Sequence, residues 1–207
     1  MKNQMYILSL LFGCALILLC SCANIGTKFD PPDVNQLQLG KLEPKEAIAL
    51  FGQPYSTGKK TTSDGDFEIY KYAYTQVNFG EASQRMLLLE FKGGKLNAYF
   101  NWSSFNQDKT KFDPEIERKL KVGVAKFTKD QVEAMAGKPD GRALCPSMVA
   151  DFKEKCAKNT EVWGWYMKDS INLWGPQNVK TTELFVSFDA AGKVSDVEVE
   201  ETTDPNR

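Results

Sequence analysis

The chain contains no histidine. That removes Ser-His-Asp and Cys-His constellations, the commonest general acid–base side chain and the commonest metal ligand. Cysteine is scarce. Of the five, Cys14, Cys20 and Cys22 fall within the first 22 residues, which leaves Cys145 and Cys156 as the only thiols of the body. Two cysteines do not complete a zinc site, and their spacing is not the Cys-x-x-Cys of a redox pair. Charge of either sign is not in excess: 26 basic residues face 27 acidic ones, for a net charge of −1. A nucleic-acid binder would carry a basic surplus. After residue 20 no apolar run is long enough to cross a bilayer as a helix. These absences predict no metal, no cofactor, no nucleic-acid partner and no catalytic machinery.

What is present begins at the N-terminus. Lys2 is the only charge before Lys28, and Tyr6 to Leu19 is almost wholly apolar. Such a segment is too short for a comfortable span and suits the core of a signal peptide. It ends in Leu19-Cys20-Ser21-Cys22, which resembles a bacterial lipobox. Ser21 supplies the small residue required before the modified cysteine, whereas Leu19 disqualifies Cys20. The expectation is a signal peptide over 1–21, cleavage before Cys22, an acylated Cys22 and a tether over 22–32. Acyl chains contribute about 0.8 kcal/mol per buried methylene, so a multiply acylated cysteine is a stable anchor. Ala23 in place of Asp favours the outer membrane under enterobacterial sorting. The body would then occupy an oxidising space, where Cys145 and Cys156, eleven residues apart, read as a structural disulfide.

The rest of the chain reads as one unit written twice. Gly52-Gln53-Pro54 returns as Gly137-Lys138-Pro139, each closing a helical pattern. Glycine suits the residue past a helix end, where a left-handed cap is expected, and proline prevents resumption. Thr128 and Gln131 form a capping-box pattern at the second helix start. Aromatic strands follow in both copies, with Tyr70 and Tyr72 in one and Trp163 and Trp165 in the other, and each copy ends in a Gly-Lys hairpin turn. Short helices are expected at Val34–Leu39, from Pro44, from Pro114 and after Thr128. Strands are expected at 69–74, 86–91, 95–102, 162–168, 183–188 and 193–200. The expected fold is α+β: two tandem helix-helix-three-strand modules, 33–112 and 113–203, with antiparallel sheets and helices on one face.

With those landmarks placed, the pattern resembles the BamE/SmpA (SmpA/OmlA) type of outer-membrane assembly lipoprotein. The second copy carries Phe127-Thr128, Gln131-Val132 and Gly137-Lys138-Pro139; the first carries Gly40, Leu42, Glu46-Ala47 and Gly52-Gln53-Pro54, with Glu43 in place of Thr. The resemblance implies an envelope lipoprotein supporting outer-membrane protein assembly. A tandem pair of this unit is similar to β-lactamase inhibitory proteins, which grip a target enzyme with a concave aromatic sheet. The alternative function is therefore inhibition of a periplasmic or surface enzyme.

Ser56-Thr57-Gly58-Lys59 matches the Ser-x-x-Lys pair of penicillin-binding enzymes, but the Ser-x-Asn and Lys-Thr-Gly elements that must accompany it are missing. The aromatics carry more. Tyr70, Tyr72, Trp163 and Trp165 admit two readings: core packed on the helices, or an exposed sheet face for protein recognition. Trp102 and Trp174 fall outside the repeated pattern and are the better candidates for exposed anchors. The expected partners are other envelope proteins, with the membrane engaged through the lipid.

Overall fold

The computed structural model describes residues 22–78, 81–108, 114–168, 171–172 and 178–205. The expected leader, the module boundary at 112/113 and Trp174 lie outside the described residues. Alternation governs most of what is described. In β3 (Gly65–Asn78), Tyr70, Tyr72 and Tyr74 point to one face and Ile69, Ala73 and Val77 to the other. Strand β4 (Glu81–Lys92) pairs antiparallel with β3, setting Leu89 against Tyr70 and Leu87 against Tyr72. The tight turn Gly93-Gly94 leads into β5 (Lys95–Ser103). A bulge at Glu90/Phe91 leaves Asn97 as the extra residue of that hairpin. In the second half β7 (Glu161–Lys168) pairs with β9 (Asn178–Phe188), and β9 with β10 (Val194–Pro205).

The two halves do not form separate sheets. Among the described residues one antiparallel sheet of ten strands runs β1-β3-β4-β5-β6-β7-β9-β10, with β2 (Ser56–Thr62) also on β3 and β8 (Ile171–Asn172) on β4. The join is β6 (Gly141–Leu144), which pairs with β5 on one side and β7 on the other. The expectation of two helix-helix-three-strand modules is therefore corrected: the protein is mostly sheet. Val34–Leu39 is not a helix but a pair of hydrogen-bonded turns. Six residues give too few hydrogen bonds to offset helix nucleation, and Leu37 reaches the core without one. The helices are short: α1 (Pro44–Phe51), α2 (Pro114–Val122), α3 (Lys129–Ala136) and α4 (Ala150–Lys153).

Residues 22–32, expected as a tether, are partly built into the body. β1 (Cys22–Gly26) pairs with the end of β3 from Cys22 opposite Asn78 to Gly26 opposite Tyr74, and Phe29 is buried. Ser56-Thr57-Gly58-Lys59 lies in β2, an exposed edge strand.

Three hydrophobic clusters form among the described residues. On one face of the sheet, Tyr70, Tyr72, Leu87, Leu89 and Tyr99 pack under α1, the 34–39 turns and Phe29. On the same face further along, Trp163, Trp165, Leu184 and Val186 pack under α2 and α3. The third cluster lies on the opposite face, where Phe152 of α4 and Val149 cover Ala98, Phe100, Val162 and Phe185. Helices thus occupy both faces, a second correction to the expected architecture. Alternate residues of β7 and β9 feed opposite clusters, so a central strand here is apolar on both sides.

Candidate functional site

The predicted cap motif is structural. Gly52 and Gly137 close α1 and α3 with φ of 78° and 77°, and their N–H groups donate to the Ile48 and Glu133 carbonyls. Their ψ values, −166° and −177°, are extended rather than left-handed helical. Only glycine occupies that region without strain, so the requirement for glycine is stricter than a left-handed cap would impose. Pro54 and Pro139 follow each cap outside the helices. At the other end of α3, Thr128 and Gln131 exchange hydrogen bonds, the Thr128 N–H donating to Oε1 at 2.9 Å and the Gln131 N–H to Oγ1 at 3.4 Å. In α1 the Glu43 N–H donates to Glu46 at 2.8 Å. Of these residues, Pro139 lines a small recess of about 150 Å³ together with Leu37, Tyr99 and Arg142.

The aromatics divide by face. Tyr70 (8% exposed), Tyr72 (3%), Trp163 (2%) and Trp165 (0%) lie in the helix-covered clusters. Trp165 Nε1 donates to the Gly137 carbonyl at 3.2 Å, tying the strand to the helix cap. Burial raises the Tyr72 phenol to about 12, with Tyr70 adding to the shift. Trp102 is placed differently. It stands half-buried on the opposite face, in a row that crosses three strands as Ala73, Met86 and Trp102.

That row leads into a groove of about 420 Å³ between the two halves of the sheet. Its cause is the shortness of β6. Ahead of Gly141 the strand gives way to Asp140, whose carbonyl accepts the Asn101 N–H (2.9 Å) and whose carboxylate accepts the Tyr166 N–H (2.8 Å). β5 and β7 therefore flank an opening. Met86, Phe100 and Trp102 line one wall; Tyr166, Thr181, Glu183 and Thr202 line the other, with Asp151 of α4 at the rim. Tyr166 packs edge-on to Phe100 at 4.3 Å and lies across Gly164, where a Cβ would come within 2.7 Å of its hydroxyl. That hydroxyl is buried and has no hydrogen-bond partner. Beside the groove, Lys155 Nζ sits 4.2 Å from the Phe185 ring centre and bonds Glu198 (2.8 Å) and Glu200 (2.7 Å). Burial acts to lower the Lys155 ammonium, but the bonds to those two carboxylates outweigh it and raise it. Burial, and then Glu200, push the Asp151 carboxyl above its ordinary range, against the pull of Lys155.

The rim is fixed by the Cys145–Cys156 disulfide, which closes the loop carrying α4. A polar latch seats this loop on the first-half hairpin. The buried Glu90 carboxylate accepts Asn97 Nδ2 and the Met148 N–H, both at 2.7 Å. Asn97 Nδ2 also reaches the Leu144 and Pro146 carbonyls. Sequence reasoning passed over both residues, because a glutamate and an asparagine in a hairpin read as solvent-facing. Among the described residues no three potential His, Cys, Asp or Glu ligands gather as a metal site, and no helix is long and apolar enough to cross a membrane.

No protein-family model matches this chain, and no curated protein matches it. Among solved structures it is similar to a candidate β-lactamase inhibitor protein from Streptococcus mutans, at 15% identity and a TM-score of 0.41, over 85% of this chain and 90% of that one. A likeness of that size carries no argument about fold or function here.

Proposed function

We propose that this chain is a non-enzymatic envelope lipoprotein that binds other envelope proteins through the sheet face bearing Met86, Leu88 and Trp102. One observation carries the reading. The sheet is covered by helices and turns along the face of Tyr70 and Trp163, while on the other face Ile69, Met86, Leu88 and Trp102 remain partly exposed. Half-exposed aliphatic and aromatic side chains in a contiguous row are the usual make-up of a protein-binding surface. The rigid rim supplied by the disulfide loop lowers the ordering cost of association. The role of the partner, in outer-membrane protein assembly or envelope maintenance, follows from the BamE/SmpA resemblance alone.

Anchoring is part of the proposal. Acylation of Cys22 would attach lipid at the first residue of β1, without a long flexible spacer. The β1 end of the sheet would then lie at the bilayer surface. Metabolic labelling with palmitate tests this: Cys22→Ser should abolish incorporation and Cys20→Ser should leave it. Equal labelling of both variants and the wild type refutes the anchor.

Inhibition of a periplasmic or surface enzyme is the second reading, favoured by the stapled loop standing beside an aromatic groove. Adding the purified protein to serine hydrolases of the envelope, β-lactamases included, should depress turnover if it holds. Unchanged turnover at micromolar protein removes it.

A further inference from the structure

We propose that the edge of the sheet formed by β1 and β2 lies on the bilayer surface, with Ile25, Leu50 and Tyr55 set into the interface and Lys59 and Lys60 toward the headgroups. This rests on the anchoring reading above and adds which side of the body meets the lipid. The edge is defined by register. β4 pairs along β3 from Phe67 to Asn78, so β1 and β2 share the remaining side of β3. They run in the same direction there, β1 descending from Asn78 to Tyr74 and β2 from Lys71 to Gly65. Ile25 stands opposite Thr75 and Ser56 opposite Lys71, which sets Ile25 and the start of β2 about 13 Å apart along β3. Tyr55 directly precedes Ser56, and Leu50 lies near the end of α1, the helix that leads into it.

Two independent observations select a bilayer as the occupant. The first is where the rest of the chain enters. Residues 1–21, with the apolar run from Tyr6 to Leu19, join the body at Cys22, the first residue of β1 and of this edge. Lipid on Cys22, or the apolar run itself, brings membrane to this edge before any other part of the body. The second is the make-up of the two edges. Of the five large apolar side chains exposed among the described residues, Ile25, Leu50 and Tyr55 belong to this region, while Val122 and Val124 lie at the end of α2 in the other half. Tyrosine suits a membrane interface, where its ring meets acyl chains and its hydroxyl meets water. Lys28, Lys59 and Lys60 are exposed along the same edge, Lys59 with Glu68 at 3.5 Å. Asp64 and Asp66 sit at the opposite end of β2 from Tyr55. The other edge of the sheet, β10, exposes Asp196, Glu198, Glu200 and Glu201, of which Lys155 and Lys180 pair the last three. An anionic leaflet attracts the first edge and repels the second. The β2 lysines also oppose pairing of two copies through that strand. The sheet then stands on its β1–β2 edge, with the face of Met86 and Trp102 upright and within reach of other proteins at the same membrane.

The test uses the full chain, purified in detergent and reconstituted on vesicles of phosphatidylcholine and phosphatidylserine. An acylated Cys22 and a retained 1–21 segment each hold the chain on the vesicle, so this test and the palmitate labelling of Cys22 fail separately. A benzophenone side chain replaces Ile25, Tyr55 or, as the control, Val122, whose exposures are comparable at 64%, 74% and 71%. Irradiation followed by mass spectrometry should find phospholipid adducts at 25 and 55 and none at 122. Lys60→Ala should lower the yield at 55 about 5-fold, and omission of phosphatidylserine should lower it as well. An unchanged yield in Lys60→Ala would overturn the part given to the lysines. Equal lipid yields at all three positions, or none at 25 and 55, would overturn the proposal. Adducts between two copies of the chain at 25 or 55 in place of lipid would assign the edge to self-association and overturn it too.

Discussion

The two halves of the sheet solve one backbone problem with different side chains. In the first, the Gly40 N–H donates to the Leu96 carbonyl and the Leu96 N–H to the Leu42 carbonyl, at 2.7 and 2.8 Å. In the second, Ala125 and Val194, then Val194 and Phe127, make the same two bonds at 2.7 and 3.0 Å. Gly40 has φ of 73° and Ala125 φ of 65°. Both segments run into a helix closed by a glycine of nearly identical φ. The buried charges share nothing. The first half uses Arg85, which bonds Asp108 through Nε (3.0 Å) and Nη2 (2.5 Å), donates to the Phe29 carbonyl, and lies between the Phe29 and Phe105 rings. The second uses Glu161, held by Lys129, Arg142 and Trp163 Nε1. The backbone frame is what recurs, and each half has settled its own means of fastening neighbouring segments to it.

Breaking the Arg85 fastening should have the largest effect. Arg85→Ala strands a buried Asp108 carboxylate and frees Phe29, and should cost about 3–5 kcal/mol in urea unfolding. The first half has no covalent staple, whereas Cys145→Ser/Cys156→Ser removes the one in the second. The chain-entropy model puts that loss at about 2–3 kcal/mol, read as a fall in the denaturation midpoint under oxidising conditions.

Glu161→Gln comes next, at about 1–3 kcal/mol near neutral pH. Burial acts to raise the Glu161 carboxyl, but the bonds from Lys129 and Trp163 and the charge of Arg142 prevail and hold it below its ordinary value. A depressed carboxyl stabilises the fold above the unfolded-state value near 4.5 and loses that contribution as pH falls through the folded-state value. The gap between wild type and Glu161→Gln should therefore narrow below the carboxylate range. A gap constant with pH would mean that the charge contributes nothing. The smallest effect belongs to the shared turn. Gly40→Ala should destabilise and Ala125→Gly should stabilise, each by about 1 kcal/mol, because an L-residue is strained at positive φ. Effects of the same sign would show that the two turns are not equivalent.

The same contrast explains how much could be read from the chain alone. The helix caps were legible because glycine, proline and a Thr-x-x-Gln box have local causes. The disulfide pair was legible by elimination. The apolar strands were legible because Tyr70 and Trp163 sit in alternating patterns. The join was not. β6 is four residues long and carries Gly141 and Arg142, so no periodicity announces it. β2 is exposed along nearly its whole length and leaves no apolar trace. Ala125 hid its equivalence to Gly40 because it occupies a glycine conformation without being glycine. Of the interaction surface, Trp102 was picked out for lying outside the repeat. The groove beside it comes from where β6 begins, which is a property of pairing between distant segments.

Site-directed photo-crosslinking in intact envelopes tests the central claim most directly. A photoreactive residue replacing Met86, Leu88 or Trp102 should give discrete protein adducts, while the same residue at Lys45 on α1 should give none. Adducts from Lys45 with none from the three sheet positions would place recognition on the helix-covered side and contradict the account.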